Sequence, residues 1–363
     1  MNLNPLGFRL MLTPCSMEVW EIWFNFILLL FDSWLVFQIF SNKSLPNLLA
    51  QTFVFGILSI ILAFYFSPNN FGVLRLAAWV VFVHGLLVFF ALAVFRKQFR
   101  TVSLFISVTI IIVGIDAFLI EPHWLEISRY EIKSNKIKKS LKIVVLADLQ
   151  TDEITDYERM VIGKVMAENP DMILMPGDFV HVEWGEKRTK VLGELNQLLK
   201  ENSFHAPLGI YAVGGNTDEC DWTSAFDDLP VTCFGDSYTL EKEGFTITGL
   251  HLWDSYDSNL HSPSPQGAAF HIVLGHVPDF ALSNPDADLL VAGHTHGGQV
   301  QIPFFGPILT LCEIPRNWAE GMTEIDKDTK LLVSRGIGME RGNAPRLRFW
   351  CRPELVVITL IPA

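Results

Sequence analysis

Apolar residues gather in long runs over the first third of the chain and in short runs after it. Four stretches, at 22–40, 48–66, 73–95 and 102–120, each approach the ~20 residues that a helix needs to cross the hydrocarbon layer of a membrane. Polar punctuation separates them: Ser-Asn-Lys-Ser-Leu-Pro-Asn from Ser41, Ser-Pro-Asn-Asn from Ser67 and Arg-Lys-Gln-Phe-Arg from Arg96. The pattern predicts four spanning helices. With no small-residue cleavage site after the first, it predicts a retained anchor and no removable leader. Beyond residue 140 the period changes. Short apolar runs at 141–147, 172–175 and 209–213 predict strands, and the helically spaced stretches 157–168 and 187–200 predict helices between them. More strands are expected at 245–250, 270–274, 288–292, 330–334 and 355–360. The organisation read from the pattern is a transmembrane domain with four helices at 1–120, a linker at 121–140 and a layered α/β domain at 141–363.

Charge divides the chain at the same place. Residues 1–120 hold six basic side chains (Arg9, Lys43, Arg75, Arg96, Lys97, Arg100) against four acids, a net of +2, which leaves −14 for the rest of a chain whose total is −12. An acidic domain of this kind is a poor non-specific nucleic-acid binder, since that binding depends on Lys and Arg neutralising phosphates. The five cysteines (Cys15, Cys220, Cys233, Cys312, Cys351) form no C-x-x-C pair and suggest neither a zinc ribbon nor a disulfide scaffold. Orientation stays open. An even number of spans sets Arg9 and the Arg129 to Lys139 group against Lys43 and the Arg96 to Arg100 cluster, and the two sides nearly balance. Asp32, His84 and Asp116 fall inside apolar spans, where pairing with one another is the expected way to lower their cost.

The chemistry lies just past the expected strands. The strand-end segments are Ala147-Asp148-Leu149-Gln150, Pro176-Gly177-Asp178 and Gly214-Gly215-Asn216-Thr217-Asp218, followed by Gly275-His276 and Gly293-His294-Thr295-His296-Gly297-Gly298-Gln299. Side chains at i and i+2 of an extended segment share a face, so His294 with His296, and Asp148 with Gln150, are expected to converge. Imidazole, carboxylate and amide oxygen together suit a divalent ion such as Mn, Fe or Zn and do not suit a soft thiolate site. His271 reads as packed within its strand and His205 as a loop residue, whereas His181 and His251 are placed to approach a substrate. Arg335 and Arg341 read as solvated loop charges, with contact to a phosphate as the alternative. Cys220 and Cys233 read as buried small apolar residues.

These segments, in this order, resemble the calcineurin-like metallophosphoesterase superfamily, and most nearly its membrane-associated bacterial branch. That branch is also resembled in Ile302-Pro303-Phe304-Phe305-Gly306-Pro307, Ser334-Arg335-Gly336-Ile337-Gly338 and Cys351-Arg352-Pro353-Glu354. The resemblance covers about residues 140–361 and implies a four-layer α/β/β/α sandwich holding two metal ions. It assigns Asp148, Asp178 and His296 to the first metal, with Asp178 bridging to a second held by Asn216, His276 and His294. Two such ions can activate water and stabilise charge on the attacking and leaving groups of a phosphoester.

Two departures from the family pattern matter. Gln150 stands where the family usually has His, and a neutral amide oxygen should loosen the first metal or favour a harder ion such as Mn or Mg. Thr217 stands where the family has a His that commonly protonates the leaving group, and a threonine hydroxyl cannot do so near neutral pH. Asp218 and His251 are the candidate substitutes; the alternative is a leaving group that needs no proton. The function expected is a membrane-anchored, metal-dependent phosphoesterase or pyrophosphatase, a phosphodiesterase among its forms. Its substrate would be a phosphorylated small molecule or lipid, and its place the bacterial inner membrane. A metal-binding pseudoenzyme serving as a membrane sensor is the alternative.

Overall fold

A computed structural model describes residues 17–41, 43–260 and 269–363, so Arg9 and Cys15 lie outside the described residues. The chain divides into two compact units, residues 1–114 with 343–345, and residues 115–342 with 346–363.

The first unit is helical: α1 (Val19–Phe40), α2 (Leu45–Phe66), α3 (Asn70–Trp79), α4 (Leu86–Phe95) and nearly all of α5 (Arg100–Ile115). Between α3 and α4 the helix widens into a π-helical segment, Val80–Gly85, and runs on. Four helical stretches, Val19–Phe40, Leu45–Phe66, Asn70–Phe95 and Lys97–His123, are long and apolar enough to be membrane spans. Their outward faces carry large apolar side chains such as Phe53, Phe64 and Phe105, while polar groups turn inward. His84, on the π segment, places Nδ1 2.6 Å from Asp32 Oδ2 and Nε2 2.9 Å from Asn25 Oδ1. The Glu21 carboxylate accepts from Arg75 Nε at 2.7 Å and from Trp79 Nε1 at 3.0 Å. Asp32 thus pairs with His84 as expected, whereas Asp116 belongs to the second unit.

The second unit contains two six-stranded mixed sheets. Its strands are β1 (Glu126–Ser134), β2 (Leu141–Val145), β3 (Met172–Met175), β4 (Ile210–Val213), β5 (Val231–Phe234), β6 (Tyr238–Lys242), β7 (Phe245–Gly249), β8 (Phe270–Leu274), β9 (Leu289–Ala292), β10 (Gln301–Ile302), β11 (Gly306–Pro307), β12 (Gly321–Glu324), β13 (Lys330–Val333) and β14 (Glu354–Pro362). The first sheet has the order β1-β14-β2-β3-β4-β5 and the second β12-β13-β9-β8-β7-β6; β10 and β11 form a separate hairpin. Strands β2 to β5 run parallel, as do β7, β8, β9 and β13, so their carboxyl ends share one edge of each sheet. Continuous apolar runs such as Met-Ile-Leu-Met in β3 suit strands covered on both faces.

One core joins the inner faces of the two sheets, with Val145, Leu174 and Val356 from the first meeting Ile247, Ile272 and Val291 from the second. A second core lies on the other face of the first sheet, where α6 (Asp156–Ala167) and α7 (Glu186–Glu201) lay down Val161, Val165, Leu195 and Leu199. α6 starts at Thr155, whose hydroxyl accepts from Tyr157 N while Glu158 reaches back to the Thr155 N–H. A third core, with Val273, Phe280 and Leu331, lies against the second sheet beside α8 (Leu252–Ser255) and short 3₁₀ turns.

Residues 126–134, expected as linker, form β1, which pairs parallel with β14 over Glu126↔Glu354 to Ser134↔Pro362. It is an edge strand with only Ile132 buried, so its polar outer positions break the apolar run that would have marked it.

Candidate metal centre

The residues singled out by spacing sit on loops at the carboxyl ends of β2, β3 and β4 in one sheet and β8 and β9 in the other. These loops are tied together by backbone hydrogen bonds: Gln150 N–H donates to Asp178 O, Gly293 N–H to His276 O and Gly338 N–H to Asp148 O. Asp148, Gln150, Asp178, His294 and His296 all adopt left-handed backbone, with φ of 48°, 41°, 56°, 69° and 49°. Such conformations cost roughly 1–3 kcal/mol each for non-glycine residues and gather where a site requires them. The i, i+2 argument from extended strands therefore fails: these are strained turns, and His294 and His296 turn to different neighbours. Glycine makes the approach possible. A Cβ on Gly215 would lie 2.2 Å from Asp178 Oδ1, and one on Gly293 would lie 2.6 Å from Asp148 Oδ2.

Two groups form. In the first, Asp148, Asp178 and His296 are buried and can each offer a ligand atom within 4.8 Å of the others. In the second, Asn216 Oδ1 lies 2.9 Å from His276 Nε2 and 2.7 Å from His294 Nδ1, and the two ring nitrogens are 3.2 Å apart. His276 Nδ1 lies 2.7 Å from Pro176 O and His294 Nε2 lies 3.3 Å from Leu311 O, contacts satisfied by the tautomers protonated at those two nitrogens. In those tautomers three lone pairs face one another. A cation is what such a donor set fits. Gln150 Oε1 and His296 Nε2 are likewise buried without a partner. Asp178 stands between the groups: Oδ1 is 3.5 Å from His276 Nε2 and accepts from Thr217 N–H at 2.8 Å, and Oδ2 accepts from Gln150 Nε2 at 3.2 Å.

Electrostatics points the same way. Burial, and then the Asp178 charge, hold Asp148 well above the usual carboxylate range; burial lifts Asp178 to about 6. Burial lowers His276 to about 4, and burial with His276 nearby lowers His294 to about 3. His296 falls well below the ordinary imidazole range through burial and then the Arg348 guanidinium. Imidazoles kept neutral beside crowded carboxylates are what a divalent ion needs and would compensate.

The proposed proton donors stand apart. Asp218 has Oδ1 accepting from Phe179 and Val180 N–H and Oδ2 from Gly215 N–H, so both oxygens brace the loops around Asp178. Burial and the Asp178 charge raise it to about 7. His251 caps α8 by accepting from Trp253 N–H and, among the described residues, bonds to none of the grouped side chains. His271 is a packed strand residue between Thr248 Oγ1 and Asp286 O, and His205 is exposed. Arg335 is no solvated charge: it pairs with Glu126 and Glu354. Cys220, expected to be buried, is exposed, and Cys233 is half-buried near the edge of its sheet. Arg341 meets the site, donating from Nε to Gln150 O at 3.0 Å.

The pattern missed Glu340 and Arg348. Glu340 Oε2 accepts from Gln150 Nε2 at 3.1 Å, its Oε1 lies 3.6 Å from His181 Nδ1, and burial raises it to about 7. Arg348 is fully buried, its guanidinium 3.4 Å from His296 Nδ1 and also donating to the carbonyls of Arg335, Gly336, Gly338 and Cys351 and to Cys351 Sγ. The one signal available was the density of charge in Glu340-Arg341 and Arg346-Leu347-Arg348 between apolar segments.

Residues 141–298 match the family model of the calcineurin-like phosphoesterases. The chain is 31% identical over 262 residues to the metallophosphoesterase YkuE of Bacillus subtilis, covering 66% of this chain and 87% of that one. It is 25% identical over 259 residues to the phosphodiesterase YaeI of Escherichia coli, covering 66% and 90%. It is also 25% identical over 314 residues to the UDP-2,3-diacylglucosamine pyrophosphatase LpxG of Chlamydia muridarum, covering 66% and 90%.

Proposed function

The chain belongs to the calcineurin-like metallophosphoesterases and is a metal-dependent phosphoester hydrolase, and from that premise we propose that it cleaves a phosphoester or pyrophosphate bond in a lipid-linked or nucleotide-linked substrate at a membrane. In this reading Val19–Phe40, Leu45–Phe66, Asn70–Phe95 and Lys97–His123 anchor it, and the two sheets with their outer helices form a four-layer sandwich. Asp148, Gln150, Asp178 and His296 hold one divalent ion, and Asn216, His276 and His294 hold a second, with Asp178 shared. Manganese, iron, zinc or magnesium suits these donors.

The observation that carries the reading is the meeting of Asn216 Oδ1, His276 Nε2 and His294 Nδ1 within 3.2 Å of one another, beside the buried group Asp148, Asp178 and His296. When bound, the ions supply an activated water and neutralise charge on the phosphoryl oxygens. The chain's own groups do the positioning. The Pro176 carbonyl fixes the His276 ring, the Leu311 carbonyl fixes His294, and the Thr217 and Gln150 N–H groups fix the two oxygens of Asp178. Asp218, lifted to about 7, stays the candidate proton donor where the family's imidazole is replaced by Thr217, with both its oxygens also held by backbone N–H groups, and the capping His251 is the second candidate. With no imidazole at Thr217, the reading favours leaving groups that depart without a proton, a phosphate or a nucleotide above a simple alcohol. The diacylglucosamine nucleotide named for the chlamydial relative has that chemistry and is apolar at one end.

The test is turnover by the purified full chain, with its metal content measured, on a nitrophenyl phosphodiester, an alkyl phosphodiester and a nucleotide-diphospho-lipid. The expected order is fast cleavage of the first and third and slow cleavage of the second. Equal rates on the two diesters would remove the leaving-group argument, and bound metal with no turnover on any would favour the sensor.

A further inference from the structure

The hairpin β10–β11 and the irregular segment after it run Ile-Pro-Phe-Phe-Gly-Pro-Ile-Leu-Thr-Leu-Cys from Ile302 to Cys312 without a charged side chain. Ile302, Phe304, Phe305, Ile308, Leu309 and Leu311 are all exposed, Phe304 completely. Soluble surfaces rarely leave a contiguous apolar patch of this kind uncovered. Its root lies at the metal centre: the Leu311 carbonyl accepts from His294, and a Cβ on Gly298 would strike Pro307 at 2.6 Å.

What covers it follows from the other end of the hairpin. Gln301 N–H donates to Phe349 O and Phe349 N–H to Gln299 O, both at 2.9 Å, so the hairpin springs from the segment around Phe349. That same segment grips the carboxyl end of the last candidate span. Arg348 N–H donates to Ala117 O at 3.0 Å, and the Glu121 carboxylate accepts from the N–H groups of Trp350, at 2.8 Å, and Cys351. Residues 115–342 and 346–363 form the same compact unit as the two sheets, so this end of the span and the hairpin belong to one unit. Trp124 and Trp350 are exposed there, and the Arg352 guanidinium lies 4.3 Å from the Trp124 ring. Exposed tryptophans with a stacked arginine at the end of a span are the composition of a membrane–water interface. On the hairpin, Arg316 lies 4.4 Å over Phe305 in the same manner.

We propose that the 302–312 hairpin is a membrane-docking element that sinks its apolar side chains into the bilayer surface beside the last span. This rests on the reading of the four helices as spans and of the substrate as lipid-linked. The hairpin holds the acyl region of a membrane lipid next to the His294 loop, so that a phosphorylated headgroup rises from the bilayer directly into the metal centre. A free soluble phosphoester gains nothing from this surface.

The experiment uses the full chain in nanodiscs of phosphatidylethanolamine and phosphatidylglycerol, with a benzophenone amino acid replacing Phe304, Phe305, Phe105 or Tyr238 one at a time. After irradiation, lipid adducts are counted by mass spectrometry. Interfacial segments bury their apolar side chains only roughly 5–10 Å deep, so positions 304 and 305 should carry at least about tenfold more lipid adduct than position 238. Position 105, outward on a candidate span, should label as well. Labelling at 105 with none at 304 and 305 overturns the hairpin and leaves the anchor. No labelling at 105 overturns both, and protein–protein adducts at 304 identify a contact between copies and overturn it too. Cleavage of a nitrophenyl phosphodiester by the same samples reports separately on the hydrolase reading.

Discussion

Two buried polar networks, one in each compact unit, follow opposite rules. In the helical unit the contacts link cations and N–H groups to oxygens: Arg75 and Trp79 donate to Glu21, Asn25 Nδ2 donates to Glu21 O, and His84 lies between Asp32 Oδ2 and Asn25 Oδ1. At the strand ends the order is reversed, with Asn216 Oδ1 against two rings whose other nitrogens face carbonyl oxygens and the carboxylates Asp148 and Asp178 crowded beside them. The first network is joined within itself, and of its carboxylate oxygens only Asp32 Oδ1 is buried without a partner among the described residues. The second is complete only with a guest. Backbone conformation separates them as well: the strand-end residues occupy left-handed turns, and the helical network needs only a local widening at Val80–Gly85.

The largest test of that contrast is Asp178→Asn, which removes the carboxylate standing between the two groups. Turnover should fall on the order of 10³-fold or more, and bound metal measured by atomic emission should fall with it, since the metals supply most of the charge stabilisation. Retention of both would place the chemistry elsewhere. In the other network, His84→Leu strands Asp32 in the helical interior and should lower unfolding stability in detergent by about 3–5 kcal/mol. Metal content should stay at the wild-type level, and Asp32→Leu with His84→Leu should recover most of the loss. Coupled metal loss in the single variant would erase the distinction between the networks.

A finer cut addresses Glu340, which grips the amide that stands in place of an imidazole. Glu340→Gln should weaken metal affinity by about 10–100-fold, the usual effect of losing an orienting partner, with thermal unfolding of the metal-free protein little changed. Equal affinity by competition with a chelator would reduce Glu340 to a bystander. The smallest effect belongs to His271, which burial holds below the ordinary imidazole range, against the hydrogen bond it makes to the Asp286 carbonyl. The unfolded chain, titrating near 6.5, binds the proton more readily. The stability from His271 is thus whole above about pH 6.5 and lost as pH falls through the lower folded value. His271→Gln should cost about 1 kcal/mol at neutral pH and make stability depend less on pH below 6.5, as followed by urea unfolding. An unchanged acid limb would mean other groups set it.

The parts of the molecule legible from sequence were those in which one local pattern carries the message. Apolar length marked the candidate spans, a continuous apolar run marked β3 and β9, and a glycine beside Asp178, Asn216 or His294 marked each strand-end turn. The edge strand β1 escaped because its outer side chains are polar. Glu340 escaped for a different reason: it reaches Gln150 across 190 residues of chain, and no local spacing encodes such a meeting. Asp218 was legible as a carboxylate near the site, and only the structure shows that three backbone N–H groups also use it to brace the loops around Asp178.

The unshared lone pairs of Asn216, His276 and His294 bear on the fate of the chain in a cell as well as on its chemistry. A cation that relieves their mutual repulsion binds the native form and not the unfolded one, and so adds to the free energy that keeps the domain folded. Starved of that ion, the protein would be lost to proteases before it stood idle, so that nutrient supply would set its abundance along with its turnover.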